Sequence, residues 1–166
     1  VINTDMWKQA GLTDADYPQT WDDLENVAAK LTTADHVGLT MSGEFARIGV
    51  FMEQAGGGLV SDDGTKAIAD SEGSVAGLTE VQKMLKDDVA KFADDLNAGW
   101  GGEAFGLGKA AMSIEGNWLT GSMKKDYPNI NYKFIPLPEG PKGKKTLLFT
   151  NAWGIAADSQ NQKDSL

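Results

Sequence analysis

Three side chains suited to holding a ligand lie within four residues of one another in the last third of the chain. Glu115, Asn117 and Trp118 end the stretch from Phe105 to Trp118, which reads FGLGKAAMSIEGNW. A flat indole ring can stack on a ligand, and carboxylate and amide groups can exchange hydrogen bonds with it. The combination predicts a point where a ligand meets the chain.

The same stretch predicts the elements that would position these groups. Met112 and Ile114 alternate with small or polar neighbours, which indicates a strand with one apolar face, and Gly116 would end it. Asn117 can cap a following helix, which would place Trp118 at a strand-to-helix junction. Ligands dock at such junctions in open α/β sheets. Ordinary core packing with a helix cap fits this segment too, so both interpretations stay open.

Composition excludes several kinds of chemistry. The chain has 166 residues, no cysteine, one histidine and a net charge of -9. Disulfides, thiolate catalysis, histidine triads and multi-histidine metal centres are therefore excluded. The negative charge disfavours nucleic acids and anionic membranes as partners. Asp62-Asp63-Gly64 lacks the alternating oxygen ligands of a calcium loop, so we expect a surface turn and no metal or cofactor.

Periodicity predicts an α/β domain with helices and strands along its whole length. The clearest helix opens at Thr20, a potential cap, and carries an apolar stripe. The stripe comprises Trp21, Leu24, Val27, Ala28 and Leu31. Further helices are expected at 44–55, 74–92, 103–108 and 119–125, and strands at 1–3, 37–41, 111–115, 132–137 and 147–157.

Several motifs in order resemble a known family. They read NTDMWKQAGL, PQTWDDL, a Gly-Gly after a helix, FGLGKAAMSIEGNWL, a proline-rich strand and NAWGIAADS. This succession, which covers nearly the whole chain, resembles the extracellular solute-binding proteins of sugar-type ABC importers, and the maltose-binding protein group above all. The family often has Tyr where this chain has Ile2, which puts a stacking role at that position in doubt.

The resemblance implies a fold and a domain organisation. It implies a type II periplasmic-binding-protein-like lobe, with a mixed sheet flanked by helices, present as an incomplete fragment. Residues 1–146 would form most of the second lobe. Residues 147–166 would be a strand and tail returning toward the hinge or first lobe.

The resemblance also implies a function. Such a protein binds a carbohydrate between two lobes without chemistry, outside the cell, in the periplasm or as a cell-surface lipoprotein. Its partners are the sugar and the membrane subunits of the importer, with no nucleic acid, membrane insertion or cofactor. Self-association of the isolated chain is left open.

Sugars present C–H faces and hydroxyls, so aromatic planes and polar side chains are the expected contacts. Trp118 matches the Gly-x-Trp position of the family, and Trp153 matches an aromatic before the glycine of the last motif. Trp100 lies in a glycine-rich loop. The polar candidates are Glu44, Arg47, Asn117, Glu115 and Asn151.

Structural roles remain alternatives for each of these candidates. The three tryptophans could fill a core or anchor a loop. Glu44 and Arg47 could form a plain surface ion pair, and Glu115 could face water beside Lys109. Trp7 and Trp21 lie on amphipathic stripes and are predicted to be structural.

Two other functions fit the composition. One is a glycosidase that uses two of the 24 acidic residues. No nucleophile elbow or acid motif at a strand end supports it. The other is a non-catalytic protein-interaction domain that uses the exposed half-cleft of a lone lobe.

Overall fold

A computed structural model describes residues 1–165 and shows a five-stranded mixed sheet flanked by helices. The strands are β1 (Ile2–Asn3), β2 (Val37–Met41), β3 (Ala90–Phe92), β4 (Ala110–Ser113) and β5 (Tyr132–Lys133). Their order is β3-β2-β4-β1-β5. Strand β2 is parallel to β3 and β4, whereas β1 is antiparallel to β4 and β5. The predicted α/β class and mixed sheet are confirmed.

Six α-helices connect the strands. They are α1 (Thr4–Gln9), α2 (Trp21–Leu31), α3 (Phe45–Gln54), α4 (Glu72–Lys86), α5 (Gly101–Gly106) and α6 (Leu119–Lys125). All residues of β2 and β4 are buried. Successive side chains of a strand point to opposite faces, so the centre of the sheet is covered on both sides. Within residues 1–165, no helix is long and apolar enough to span a membrane.

Helix α2 forms where the sequence predicts it. The Thr20 side chain accepts a hydrogen bond from the Asp23 N–H, and the Asp23 carboxylate accepts one from the Thr20 N–H. This reciprocal pair is a capping box, and it satisfies two donors that a helix start leaves free. All five predicted stripe residues of α2 are buried. Trp7 is buried as well, so the structural roles predicted for Trp7 and Trp21 are confirmed.

Loss of this cap should destabilise the fold. We expect Thr20→Ala to lower the free energy of unfolding by about 1 kcal/mol, because the N–H of Asp23 loses its acceptor. Urea unfolding followed by circular dichroism measures the change. Thr120→Ala, on the exposed side of α6, is the control and should leave the urea midpoint unchanged or slightly higher. Equal losses in both variants would contradict the capping role.

A buried glutamine ties three parts of the fold together. Gln54, at the end of α3, accepts a hydrogen bond from Trp21 Nε1 at 2.7 Å. Its Nε2 donates to the carbonyls of Pro138 and Lys145 at 2.9 and 2.8 Å. Helices α2 and α3 and the connection after β5 are thus joined by one side chain.

The predicted helix 74–92 is too long. Helix α4 ends at Lys86, Asp88 adopts a left-handed conformation with φ 55°, and β3 follows. The apolar period of the helix continues into Val89, but the chain leaves the helix because the backbone of β3 pairs with β2. Two of the predicted stripe residues, Val75 and Leu78, are exposed, and Met84 is buried in their place.

Four further predictions differ from the structure. Strand β4, Ala110–Ser113, overlaps the predicted 111–115 but is buried on both faces, because it is a central strand. Trp118, not Asn117, occupies the N-cap of α6, and no side chain caps that helix. The strand predicted at 132–137 stops at Lys133, and the strand predicted at 147–157 is not formed. That segment has no backbone ladder partner among residues 1–165, and a strand needs one.

Candidate functional site

The candidate site lies at one edge of the sheet, beyond the ends of two parallel strands. After β2 the chain runs through Ser42 to Glu44 into α3, and after β4 it runs through Ile114 to Trp118 into α6. The carboxyl ends of parallel strands share an edge, where α/β folds place their ligands. A cavity of about 560 Å³ opens there. It is lined by residues of the β4–α6 connection, the first turns of α3, and the segments 134–137 and 146–151.

Glu115 belongs to this cavity wall, and its side chain is 0% exposed. Its Oε2 atom accepts a hydrogen bond from Trp118 Nε1 at 2.8 Å and lies 3.1 Å from Arg47 Nη2. One carboxylate oxygen therefore holds both neighbours. The predicted alternative, in which Glu115 faces water beside Lys109, is wrong, because the side chain is enclosed.

Arg47 is held by acids, a carbonyl and aromatic rings. Its Nη1 donates to the carbonyl of Ala46, and Nη2 lies 3.7 Å from Glu44 as well as close to Glu115. The guanidinium carbon lies 4.8 Å from the centroid of the Trp118 ring, a cation–π distance. The Arg47 side chain is only 11% exposed. A plain surface ion pair with Glu44 therefore does not describe it.

Trp118 presents part of its ring to the cavity. The residue is 42% exposed although its indole nitrogen is bonded to Glu115. Its ring packs so closely over Gly116 that a Cβ there would lie 2.2 Å from it, which explains the need for glycine. Phe149 meets the indole edge-on, with ring centroids 5.7 Å apart and an interplanar angle of 77°. Such pairs are favourable, so Phe149 helps to orient the ring.

The structure brings most of the predicted site residues together. Arg47, Glu115, Asn117, Trp118 and Asn151 line the cavity. Glu44 lies beside them through its contact with Arg47. Residues from three separate segments of the sequence therefore converge.

Two predicted residues lie elsewhere. Trp100 is half-buried against the cluster of Phe105, Leu119 and Met123, and its ring covers Gly102. Trp153 is fully exposed and lines a separate shallow depression with residues 154–156. Ligand contact by these two tryptophans stays a prediction.

Sequence reasoning did not select Ser113, Phe134 or Phe149, which also line the cavity. Ser113 is the last residue of β4, and its hydroxyl is buried without a hydrogen-bond partner among residues 1–165. Phe134 and Phe149 are exposed aromatics. Phe134 precedes the proline-rich run and Phe149 follows two leucines, so neither ring stands out from its neighbours in the sequence.

Few charges face the cavity. The Arg47 guanidinium and the Glu115 carboxylate oppose each other there, and the backbone nitrogen of Val1 donates a hydrogen bond to the Ser113 carbonyl at 2.8 Å. Among the described residues, no group of three or more histidines or acids could hold a metal ion.

The chain matches a family model and curated relatives over nearly its whole length. Residues 1–164 match the model of the bacterial extracellular solute-binding proteins. A binding protein of Brucella abortus is 26% identical over 98% of this chain, which spans 41% of that relative. The chain thus spans about two-fifths of the length of the curated relatives it matches.

Solved structures share the fold. An ABC substrate-binding protein of Listeria monocytogenes, in complex with cycloalternan, has a TM-score of 0.73 and 26% identity, with 86% of this chain and 37% of that one covered. A solute-binding protein of Thermotoga lettingae, bound to α-D-tagatose, has a TM-score of 0.67 and 28% identity, with 77% and 35% covered. By family match and by fold, this chain belongs to the bacterial extracellular solute-binding proteins.

Proposed function

We propose that this chain is one lobe of the carbohydrate receptor of an ABC importer and that its cavity forms one wall of the sugar site. The observation that carries the proposal is Trp118, whose ring is exposed at the cavity while its only polar atom is bonded to Glu115. Arg47 lies over one part of the ring, and the exposed remainder offers a ligand an aromatic surface and no hydrogen bond. An aromatic surface of that kind suits the C–H face of a sugar.

The rest of the wall supports a sugar of modest size. The cavity volume of about 560 Å³ lies within the range of about 300–1,000 Å³ usual for small-molecule sites. Asn117 and Asn151 lie at its exposed rim and carry amide groups that can bind hydroxyls. Two relatives of similar fold are described with a carbohydrate bound, cycloalternan in one and tagatose in the other.

We infer binding without catalysis. A glycosidase needs two carboxyl groups flanking the scissile bond. Of the residues that line the cavity, Glu115 alone carries a carboxylate, and it is enclosed and paired with Arg47. Glu44 lies beyond Arg47 at the rim. Turnover of a glycoside that vanished in a Glu115→Gln variant would overturn this assignment.

The proposal extends to the parent protein. Residues 1–146 would form most of the second lobe, and residues 147–166, with Trp153, would return toward the hinge or first lobe. The exposed positions of Leu148 and Trp153 support this assignment, because a first lobe would cover them. The receptor would act in the periplasm or on the cell surface and pass its sugar to the membrane subunits of the importer.

Replacement of Trp118 tests the function. We expect Trp118→Ala in the full-length protein to weaken sugar binding by about 5- to 150-fold while the fold stays intact. By analogy with a nucleobase, a ligand stacked on an aromatic ring gains about 1–3 kcal/mol. Calorimetric titration with maltotriose, mannobiose and tagatose measures the affinity, and near-ultraviolet circular dichroism checks the fold.

Leu107→Ala is the control, because it removes an exposed apolar side chain from outside the cavity. It should bind the sugars as the wild type does. Normal binding by a folded Trp118→Ala protein would show that the sugar does not contact this wall. The Trp153→Ala variant, measured alongside, would show whether the sugar contacts the final segment.

A further inference from the structure

We propose that Glu115 is a positioning residue that never touches the ligand. In this proposal it fixes the indole of Trp118 and cancels the charge of Arg47, so that the cavity selects uncharged ligands over anionic ones. The inference rests on the proposed function for its choice of ligands, but the contacts it invokes lie within this chain. It revises the sequence-based expectation that Glu115 itself binds sugar hydroxyls.

Enclosure is the first step of the argument. The side chain of Glu115 is 0% exposed, and its Oε1 atom is buried without a hydrogen-bond partner among residues 1–165. Both polar contacts of the Glu115 side chain go to Arg47 and Trp118, which line the cavity with it.

The hydrogen bond to Trp118 sets the orientation of the ring. An indole has a single N–H donor, and here that donor points at Glu115 from 2.8 Å. A bond from a neutral donor to a carboxylate is stronger than one between two neutral groups. The ring is further held by Arg47 and by the edge of Phe149, so its exposed surface is presented in one orientation.

The ion pair removes the one positive charge of the cavity wall. A free guanidinium would attract phosphate or carboxylate groups with paired hydrogen bonds. Arg47 instead has one terminal nitrogen at 3.1 Å from Glu115 and the other bonded to the Ala46 carbonyl. Glu44 adds a second negative charge at 3.7 Å. An anionic ligand would therefore meet no uncompensated positive group there.

Gly101 provides the space for this arrangement. A Cβ at Gly101, the first residue of α5, would lie 2.9 Å from Glu115 Oε1 and 3.0 Å from Ser113 Oγ. Any side chain at Gly101 would push the carboxylate from its position. A Gly101→Ala variant thus disturbs the positioning without removing any of the polar groups involved.

The indole N–H signals test the positioning role directly. In a nitrogen-15 spectrum the five tryptophans give five indole signals, and loss of one in Trp118→Phe identifies that of Trp118. We expect Glu115→Leu to shift this signal and to speed its hydrogen exchange at least tenfold. Trp21, bonded to Gln54, and Trp7, bonded to the Thr13 carbonyl, are internal controls whose signals should stay in place.

A smaller shift of the Trp118 signal is expected in Gly101→Ala. Gly121→Ala is the control, because a Cβ at Gly121 would have no neighbour within 4 Å, and it should leave all five signals unchanged. An unchanged Trp118 signal in both Glu115→Leu and Gly101→Ala would overturn the positioning role. If Glu115→Leu does not fold, Gly101→Ala decides the question.

Charge selection is tested in the full-length protein with maltose and maltose 1-phosphate, a matched neutral and anionic pair. We expect Glu115→Gln to lower the ratio of the dissociation constant of the phosphate to that of the neutral sugar at least tenfold. Arg47 then loses its nearer, enclosed acidic partner and keeps only the exposed Glu44 at 3.7 Å. Asp62→Asn changes the net charge equally at an exposed site outside the cavity and should leave the ratio unchanged. An unchanged ratio in Glu115→Gln would overturn the charge selection.

The proposed sugar-binding function and the positioning role of Glu115 can each be disproved without the other. If the wild-type protein binds neither sugar, nor any of the three tested above, the proposed function is wrong, and the indole signals still decide whether Glu115 positions Trp118. If Trp118→Ala weakens sugar binding but Glu115→Leu leaves the indole signal unchanged, the function stands and the positioning role is wrong.

Discussion

A Gln54→Ala variant is expected to lose about 3 kcal/mol of unfolding free energy, because a buried donor or acceptor left without its partner costs about 1–3 kcal/mol. Three groups lose their partner at once: the indole N–H of Trp21 and the carbonyls of Pro138 and Lys145. Gln54 is almost fully buried, so water cannot readily replace it. The substitution also leaves a cavity, which adds to the loss.

Urea unfolding measures this loss, with Gln82→Ala as the matched control. Gln82 is exposed on α4, and its amide oxygen accepts a bond from Lys86, so its removal should cost less than about 0.5 kcal/mol. If the two variants unfold at the same urea concentration, Gln54 does not join the three segments as described.

The isolated 166-residue chain is expected to bind sugar about 1,000-fold more weakly than its full-length parent, since one wall of an enclosing site forfeits roughly 4 kcal/mol of contact free energy. The remaining polar groups would face water, where each hydrogen bond competes with solvent. This expectation follows from the proposal that the cavity is half of an interlobe site.

Calorimetric titration of the isolated chain and of the full-length protein with maltotriose gives both dissociation constants. Size-exclusion chromatography shows whether the isolated chain self-associates through exposed apolar residues such as Leu148 and Trp153. Tight binding by a monomer of the isolated chain would mean that the whole site lies within these residues.

The sequence predicted those elements whose signals are local. The N-terminus of α2 was readable because Thr20 and Asp23 cap it within four residues, and its stripe follows the helical period. The placement of Trp118 between β4 and α6 was readable for the same reason. The resemblance to solute-binding proteins rested on several such local motifs in order.

Elements that depend on distant partners were not readable. Strand β3 forms because β2 lies beside it, although the apolar period of α4 runs on into Val89. Segment 147–157 alternates like a strand but has no ladder partner among residues 1–165. At the site, the residue types were predicted, but the direction of Glu115 was not, because Arg47 and Gly101 approach it from separate parts of the chain.

Helix α3 connects two segments of the cavity wall to each other. Arg47 in its first turn supports Trp118, and Gln54 at its last residue holds the carbonyls of Pro138 and Lys145, just before the segment that carries Phe149 to the cavity. The two attachments lie about 10 Å apart along one rigid rod. The parts of the cavity wall that carry Trp118 and Phe149 are therefore both attached to α3, so a motion that closed the cavity would have to come from a body outside this unit.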